Sequence, residues 1–536
     1  MPKPSSVIKQ VVSVSREEEE ENEAKSKAKS LGLGYVNLKT SPIQVEVLHF
    51  LGDEISKKYR LIPYIAIGRT VRLATDVYPG NFKADLDKIS QQKKISFQIV
   101  LASSSSLNHA LDLLDKTKDL FLKAQPEKII ITKEQIDKSI KDLAALQTAI
   151  QQTPTTQLLE LILAGALGTR ASDIHLSPQK KGAVLRLRID GALQVITVLT
   201  NEAFKGLSSR IKYLAGLNIV GKDVPQDGSF SFRYGNEDLD IRVSTLPTEY
   251  GESFVLRVLE ENPKSLHLES LGFSQNVENM IREAIMHPNG LILNTGPTGS
   301  GKTTTLYAIL NILNKPQKNI VTIEDPIEYK LSGVEQIPVS AKVNFANGLR
   351  SILRHDPDII MIGEIRDKET ADIAVQASLT GHLVLSTLHT NNAAGAFVRF
   401  VDLDIQPFLL VGNVLLVIAQ RLVRKICPYC RARVKVNEDK KVFYKKYFRV
   451  GSVPDELVYG QGCVYCHGTG FLGRTVVAEA IKPSDELNRL LQAKPNTQEI
   501  QVAAIKNGMK PMVLDGWDKV LAGITTAEEV IEKTSF

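Results

Sequence analysis

Apolar positions along the chain fall into two rhythms. Short runs of three or four mostly apolar residues recur in the C-terminal half: Leu291–Leu293, Ile320–Ile323, Ile359–Ile362 and Leu383–Ser386. Such runs read as buried strands. Between them, 3.6-residue spacing predicts helices near Thr304–Leu313, Phe345–Leu353 and Thr370–Leu379. Repeated β-α-β units imply a parallel sheet with ligand sites at the strand C-termini. The longest apolar stretch, Phe408–Ala419, is interrupted by Gly412 and Asn413 and reads as a buried helix. After Arg474 the pattern reads as helical, and Thr526-Ala-Glu-Glu529 has capping-box spacing for a last helix.

Ahead of this region, Val184–Gly191 alternates as a strand and ends in an Asp-Gly turn. Further strands are expected at Ser229–Tyr234, Asp238–Thr245 and Ser253–Val258, with helices at Thr156–Leu167 and Phe204–Leu214. Arg242 and Arg257 fall on these strands, where an arginine that reaches a phosphate is one reading and a solvated cation the other. Residues 125–154 read as a Lys- and Gln-rich linker helix (Ile136, Ile140, Leu143, Leu146, Ile150) ending at Thr153-Pro154. Residues 31–124 read as a small α/β docking domain with a hairpin around Gly68-Arg69. Residues 1–30, with acids from Glu17 to Glu21, read as a charged tail, disordered or a frayed helix, with a short docking helix as the alternative.

The 536-residue length is too much for one core and implies several domains. Hydrophobic and charged contents of 43% and 24% are ordinary for a globular protein. No apolar run reaches the roughly 18 residues of a membrane span, and no signal-peptide core is present, so the expected location is cytoplasmic. A net charge of +6 is too diffuse to indicate nucleic acid.

Gly290–Thr305 changes the picture from architecture to chemistry. Gly296-Pro-Thr-Gly-Ser-Gly-Lys-Thr303 between a strand and a helix fits the P-loop. Backbone N–H groups of Gly296, Pro297-Thr298-Gly299, Ser300 and Gly301 through Thr304 would cradle phosphates, apart from the proline, which has no N–H. Lys302 would reach the β- and γ-phosphates of ATP, and Thr303 would hold Mg²⁺. Acids then follow the strands: Glu324 and Glu328 are both candidates to orient water, and Glu364 occupies the place where a Walker-B strand ordinarily ends in Asp. His382 and His389 flank a further strand and are assigned a γ-phosphate or interface role. Cys427, Cys430, Cys463 and Cys466 are the chain's four cysteines, in two C-x-x-C pairs. In a cytoplasmic chain they suit a structural Zn²⁺. The excursion between them interleaves Lys440, Lys441, Lys445 and Lys446 with Phe443, Tyr444, Tyr447 and Phe448, which reads as a solvated helix with an apolar face.

Gly296–Thr305, Thr322–Glu328, Arg354–Ile360, Gly363–Asp367, and Thr380–His382 with Ser386–Thr390 together resemble the Walker A, Asp box, Walker B and His box of the type II secretion and type IV pilus motor ATPases. The resemblance covers the chain from about residue 31. It implies an α/β fold: a RecA-like P-loop NTPase core over 266–475 holding the zinc element at 427–466, a preceding PAS-like domain at 155–265, and C-terminal helices over 476–536. It implies that Glu328 is the catalytic glutamate, that Glu364 is the Walker-B acid, and that Arg242 and Arg257 reach phosphates. It also implies a homohexamer docked on a polytopic inner-membrane platform protein, peripheral to that membrane, driving assembly of a pilus or secretion pseudopilus without binding nucleic acid. A RecA-like nucleic-acid motor and a pilus retraction ATPase are the alternatives; the four cysteines oppose the latter.

Overall fold

The computed structural model describes residues 4–48, 50–67, 70–93, 95–122, 129–132, 143–219, 221, 223–235, 237–259, 266–340, 342–493 and 495–535. The chain divides into two compact units, Met1–Ile189 with Leu193–Leu259, and Asp190–Ala192 with Glu260–Phe536.

The first unit holds two sheets. Strands β1 (Gly34–Tyr35), β2 (Leu61–Ile67), β3 (Thr70–Thr75) and β4 (Ser96–Leu101) stand in the order β1-β4-β3-β2. β2 and β3 pair antiparallel, as a hairpin requires, while its turn residues Gly68 and Arg69 lie outside the described residues. Residues expected as a charged tail, disordered or a frayed helix, form the helix Pro4–Ser30. The reason lies in tertiary partners: Glu21 accepts hydrogen bonds from Ser103 Oγ (2.7 Å) and the Tyr35 hydroxyl, and Ala28 is buried. Of the expected linker helix, Leu143–Gln152 is helical and buries Leu146 and Ile150, whereas Ile136 and Ile140 lie outside the described residues.

The second sheet of this unit runs β5-β9-β10-β11-β6-β7-β8, from β5 (Ile130–Ile131), β6 (Ala171–Gln179), β7 (Gly182–Ile189), β8 (Ala192–Leu199), β9 (Gln226–Tyr234), β10 (Glu237–Thr248) and β11 (Gly251–Leu259). Alternation puts Leu185, Leu187, Ile241, Val243, Phe254 and Leu256 into its core. Beneath it lies a buried ion pair: Lys212 Nζ donates to Glu252 Oε1 and Oε2 (2.5 and 2.7 Å) and to the Gly221 carbonyl (3.0 Å).

The second unit is built on β12 (Gly290–Thr295), β13 (Ile320–Glu324), β14 (Glu335–Pro338), β15 (Ile359–Ile362), β16 (Leu383–Leu388) and β17 (Val414–Ile426). A ribbon of β18 (Arg431–Lys435) and β19 (Glu456–Gly460) interrupts the chain before β20 (Phe471–Ile481). The main sheet has the order β14-β13-β15-β16-β12-β17-β20 and is parallel except where β20 runs against β17. Strands β12, β13, β15 and β16 are buried at every position, the signature of a sheet covered on both faces.

Two expectations are corrected here. Phe408–Ala419 is not a helix: a short helix, Pro407–Leu410, turns through Gly412 and Asn413 into β17. A strand buried on both faces carries the same unbroken apolar run as a buried helix, and neighbours on both sides select the strand. The chain after Arg474 likewise continues as β20 to Ile481 before the helices Asp485–Gln492, Thr497–Lys506, Met512–Leu521 and Ala527–Thr534. In the last of these, Thr526 caps the Glu529 N–H, but the Glu529 carboxylate turns to Arg424, so the box is half made. Among the described residues no helix is long and apolar enough to cross a membrane.

Candidate functional site: a phosphate-binding loop and a four-thiol cluster

Parallel strands deliver their C-terminal ends to one edge of the sheet. β12 ends at Thr295 and passes into the P-loop. Gly296 has φ +151°, and a Cβ there would sit 2.6 Å from Ser300 Oγ and 2.7 Å from the Gln420 carbonyl oxygen. Gly301, at φ +87°, closes the loop as the N-cap of the helix Lys302–Leu313. Both positions therefore demand glycine for conformation and for room. Pro297, Thr298 and Gly299 form the exposed tip, while Ser300 is buried and Thr303 and Thr304 are half-buried in the helix's first turn.

Lys302 folds back over this loop, its Nζ donating to the carbonyls of Gly296 (2.8 Å) and Pro297 (3.0 Å). Burial lowers its ammonium to about 8; the Glu364 carboxylate works against that shift and the Arg421 guanidinium adds to it. A desolvated cation across a nest of backbone donors is a site made for an anion.

The two glutamates after β13 have different surroundings. Glu324 is buried and accepts from Thr322 Oγ1 (2.7 Å), Gln336 Nε2 (3.0 Å) and the Tyr307 hydroxyl. Burial, with Glu324 beside it, pushes the Tyr307 phenol well above its ordinary value. That hydroxyl also accepts the backbone N–H of Glu328 at 3.3 Å. Glu324 thus anchors Tyr307, and Tyr307 anchors the segment that presents Glu328, which is half-buried.

Glu364 follows β15. It pairs with Arg366 and lies 3.2 Å from His389 Nε2, which follows β16. Lys302, Glu364 and His389 therefore share one edge of the sheet. His382 does not join them. It precedes β16, where its carbonyl accepts from Gly290 N (3.1 Å) and its Nδ1 lies 2.9 Å from the Ala377 carbonyl. The strand between the histidines is six residues long, which places the two ends about 20 Å apart at about 3.3 Å per residue. Symmetric flanking of a strand in the sequence becomes, in a parallel sheet, placement at opposite edges.

In the first unit, Arg242 and Arg257 stand directly opposite each other in the β10–β11 ladder, which places them on one face. Arg257 Nε donates to Asp173 Oδ1 at 3.1 Å, and Asp173 is also 3.5 Å from Arg188 Nε.

The cysteines converge. Sγ–Sγ distances are 3.8 Å for Cys427–Cys463, 3.8 Å for Cys430–Cys466 and 3.7 Å for Cys463–Cys466, and all four sulfurs lie within 4.8 Å of one another. Four bonds of about 2.3 Å to a tetrahedral ion give an edge of about 3.8 Å, so the set fits a metal and not two disulfides. Backbone N–H groups of Cys463 and Gly470 point at Cys466 Sγ (3.1 and 3.2 Å). Burial raises the Cys466 thiol, but these N–H groups together with the Cys463 and Cys430 thiols bring it to about 7, whereas burial pushes Cys427 to about 12. The excursion helix Glu438–Phe448 buries Tyr444 and Phe448, and Phe448 lies 4.5 Å from Trp517 between ring centroids. Its Lys440 pairs with Glu528 and its Lys441 with Asp455.

Gln420, Arg421 and Tyr307 were not identified from the sequence. The first two lie beyond the stretch expected as a helix; Val414, Val417, Ile418 and Val423 are the β-branched signal that could have exposed the strand.

A family described as "Type II/IV secretion system protein" matches residues 148–532. The chain is similar to the type II secretion system protein E of Pseudomonas aeruginosa, 46% identical over 409 residues, covering 73% of this chain and 80% of that protein. It is similar to the type IV pilus assembly ATPase PilB of Thermus thermophilus, 37% identical over 506 residues, covering 93% of this chain and 56% of that protein. Among solved structures it is similar to the ATPase DotB of Legionella pneumophila, with TM-score 0.53 and 24% identity over 71% of this chain and 95% of that chain, a likeness of fold.

Proposed function

The chain belongs to the type II/IV secretion system protein family, and on that premise we propose that Lys302, Glu328, Glu364 and His389 carry out its ATP hydrolysis. It is an assembly motor ATPase. The observation that supports the residue assignment is the arrival of Lys302, Glu364 and His389 at one edge of one parallel sheet, with the Glu328 backbone tethered through Tyr307 to the helix that Lys302 begins.

In this reading Lys302 exchanges the Gly296 and Pro297 carbonyls for the β- and γ-phosphates of ATP. Gly296 to Thr304 supply backbone donors, apart from Pro297, and the helix N-terminus behind them favours negative charge. The Thr303 hydroxyl would hold Mg²⁺, which would neutralise charge developing on the transferred phosphoryl group. Glu328 orients the attacking water. Glu364, held between Arg366 and His389, would supply the Walker-B carboxylate. Arg242 and Arg257, two guanidinium groups on one face of their sheet, are proposed phosphate ligands. Cys427, Cys430, Cys463 and Cys466 would hold a structural Zn²⁺ that closes the excursion and takes no part in the chemistry.

We assign the motor to extension of a type IV pilus or a type II secretion pseudopilus, working as a homohexamer on a polytopic platform protein at the cytoplasmic face of the inner membrane. A nucleic-acid motor is disfavoured because Phe448 packs on Trp517 and Lys440 pairs with Glu528, which engages these two residues within the chain. The test is Glu328→Gln. Loss of a water-orienting carboxylate lowers turnover by about 10²–10⁴-fold while ATP binding persists. A variant that no longer binds ATP would assign Glu328 a binding or structural role instead.

A further inference from the structure

β17 does more than extend the sheet. It runs parallel to β12 in a register that ends with Thr295 opposite Ala419. There β12 turns away into the P-loop, and β17 continues straight. Its next residue, Gln420, therefore lies alongside the loop, fully buried.

The Gln420 carboxamide is used at both ends. Oε1 accepts from Asn294 Nδ2 (2.9 Å) and Thr305 Oγ1 (2.9 Å), and Nε2 donates to the Ser300 carbonyl (2.8 Å). Two donors on one side and a carbonyl on the other admit one amide orientation. Asn294, Thr305 and Gln420 are all 0% exposed, so no water replaces these bonds. Asn294 precedes the loop, Ser300 lies within it and Thr305 follows it. One side chain thus ties the three parts together. Arg421, the next residue, faces elsewhere: it donates to the Gln420 carbonyl (3.0 Å) and the Asn391 carbonyl (2.8 Å) and packs where a Gly296 Cβ would be.

We propose that Gln420 is a positioning residue for the nucleotide: its carboxamide holds the Ser300 carbonyl inward, so that the loop's N–H groups face the phosphates before ATP arrives. The proposal rests on the P-loop being the ATP site. Its physical content is preorganisation. A loop that samples other conformations binds with an affinity reduced by the fraction competent, and bound phosphate then restores the geometry itself. Loss of Gln420 therefore acts on binding more than on turnover.

The test compares the full chain with Gln420→Met, which keeps the length and removes the bonds, and Gln420→Glu, which keeps the acceptor and loses the donor to Ser300. Asn413→Ala is the matched control. It removes a buried hydrogen bond to Ser378 Oγ (2.7 Å) at the other end of β17. Melting temperature, ATP affinity and steady-state kinetics are measured for each. The expected result is at least a tenfold rise in the KM and Kd for ATP in both Gln420 variants, with kcat within threefold of the parent. Asn413→Ala should lower the melting temperature with ATP affinity unchanged. Gln420 variants that lose thermal stability as the control does, yet bind ATP like the parent, would overturn the positioning role. Gln420→Glu supplies the answer should Gln420→Met not fold. A parent chain that binds no ATP would overturn the underlying site assignment, a separate failure visible before any variant is made.

Discussion

Removing one thiolate from the cysteine cluster tests how far a metal proposed there, rather than packing, holds the excursion. Cys427 and Cys463 are 36 residues apart, and the chain between the two knuckles leaves the core and returns. A cross-link closing a loop of that length restricts the unfolded chain by about 4 kcal/mol on the chain-entropy model. A unit of this size loses about 2–4 °C of melting temperature per kcal/mol, so a metal bound there would be worth about 8–16 °C. Packing limits the damage: Tyr444 and Phe448 remain seated near Trp517, so the helix Glu438–Phe448 keeps an apolar anchor when the thiols are released. The assay is zinc content beside calorimetry and limited proteolysis, on the parent, the chelated parent and Cys466→Ser. The parent should carry about one zinc per chain. Chelation and Cys466→Ser should each lower the transition by about the amount above and open protease sites between 431 and 462. A parent that is folded but metal-free, or a chelated protein with unchanged melting and cleavage, would refute the reasoning.

The buried pair in the first unit gives a second expectation. Glu252→Gln removes the carboxylate charge that faces the Lys212 ammonium at 1% exposure, and breaking a buried pair costs about 3–5 kcal/mol. The double variant Lys212→Met with Glu252→Leu should recover most of it in chemical denaturation; an unrecovered double variant would point to packing instead. Lys302 gives a third. Its value of about 8 lies below the ordinary 10.5, so between these the unfolded chain binds the extra proton and stability rises with pH. ATP phosphates favour the charged ammonium, so binding takes up a proton above pH 8, and affinity falls toward about tenfold per pH unit. Calorimetric titrations in buffers of different ionisation enthalpy read this directly; buffer-independent enthalpies would contradict it.

The P-loop and the cysteine knuckles were legible because their chemistry is contiguous: Gly296 to Thr303 is a single stretch, and each C-x-x-C pair sits in one turn. What long-range partners decide was not. Nothing local to Glu21 says that it faces Ser103, 82 residues away. Glu324 and Glu328 look equivalent until Tyr307 is seen to engage the first side chain and the second backbone. His382 and His389 differ only in which end of β16 they occupy, and strand direction relative to β12 separates them. The stretch before Gln420 was read as a helix because an apolar run buried on both faces has no periodicity, and with it the residue that ties the loop together was overlooked.

The loop between β12 and the helix Lys302–Leu313 is the proposed place of ATP hydrolysis in this motor. Phosphate release from Mg²⁺-ATP, measured on the purified full chain beside Lys302→Ala, tests it most directly. The account predicts turnover by the parent and none by the variant, with zinc content and melting behaviour retained in both. Undiminished turnover by a folded Lys302→Ala chain would contradict it.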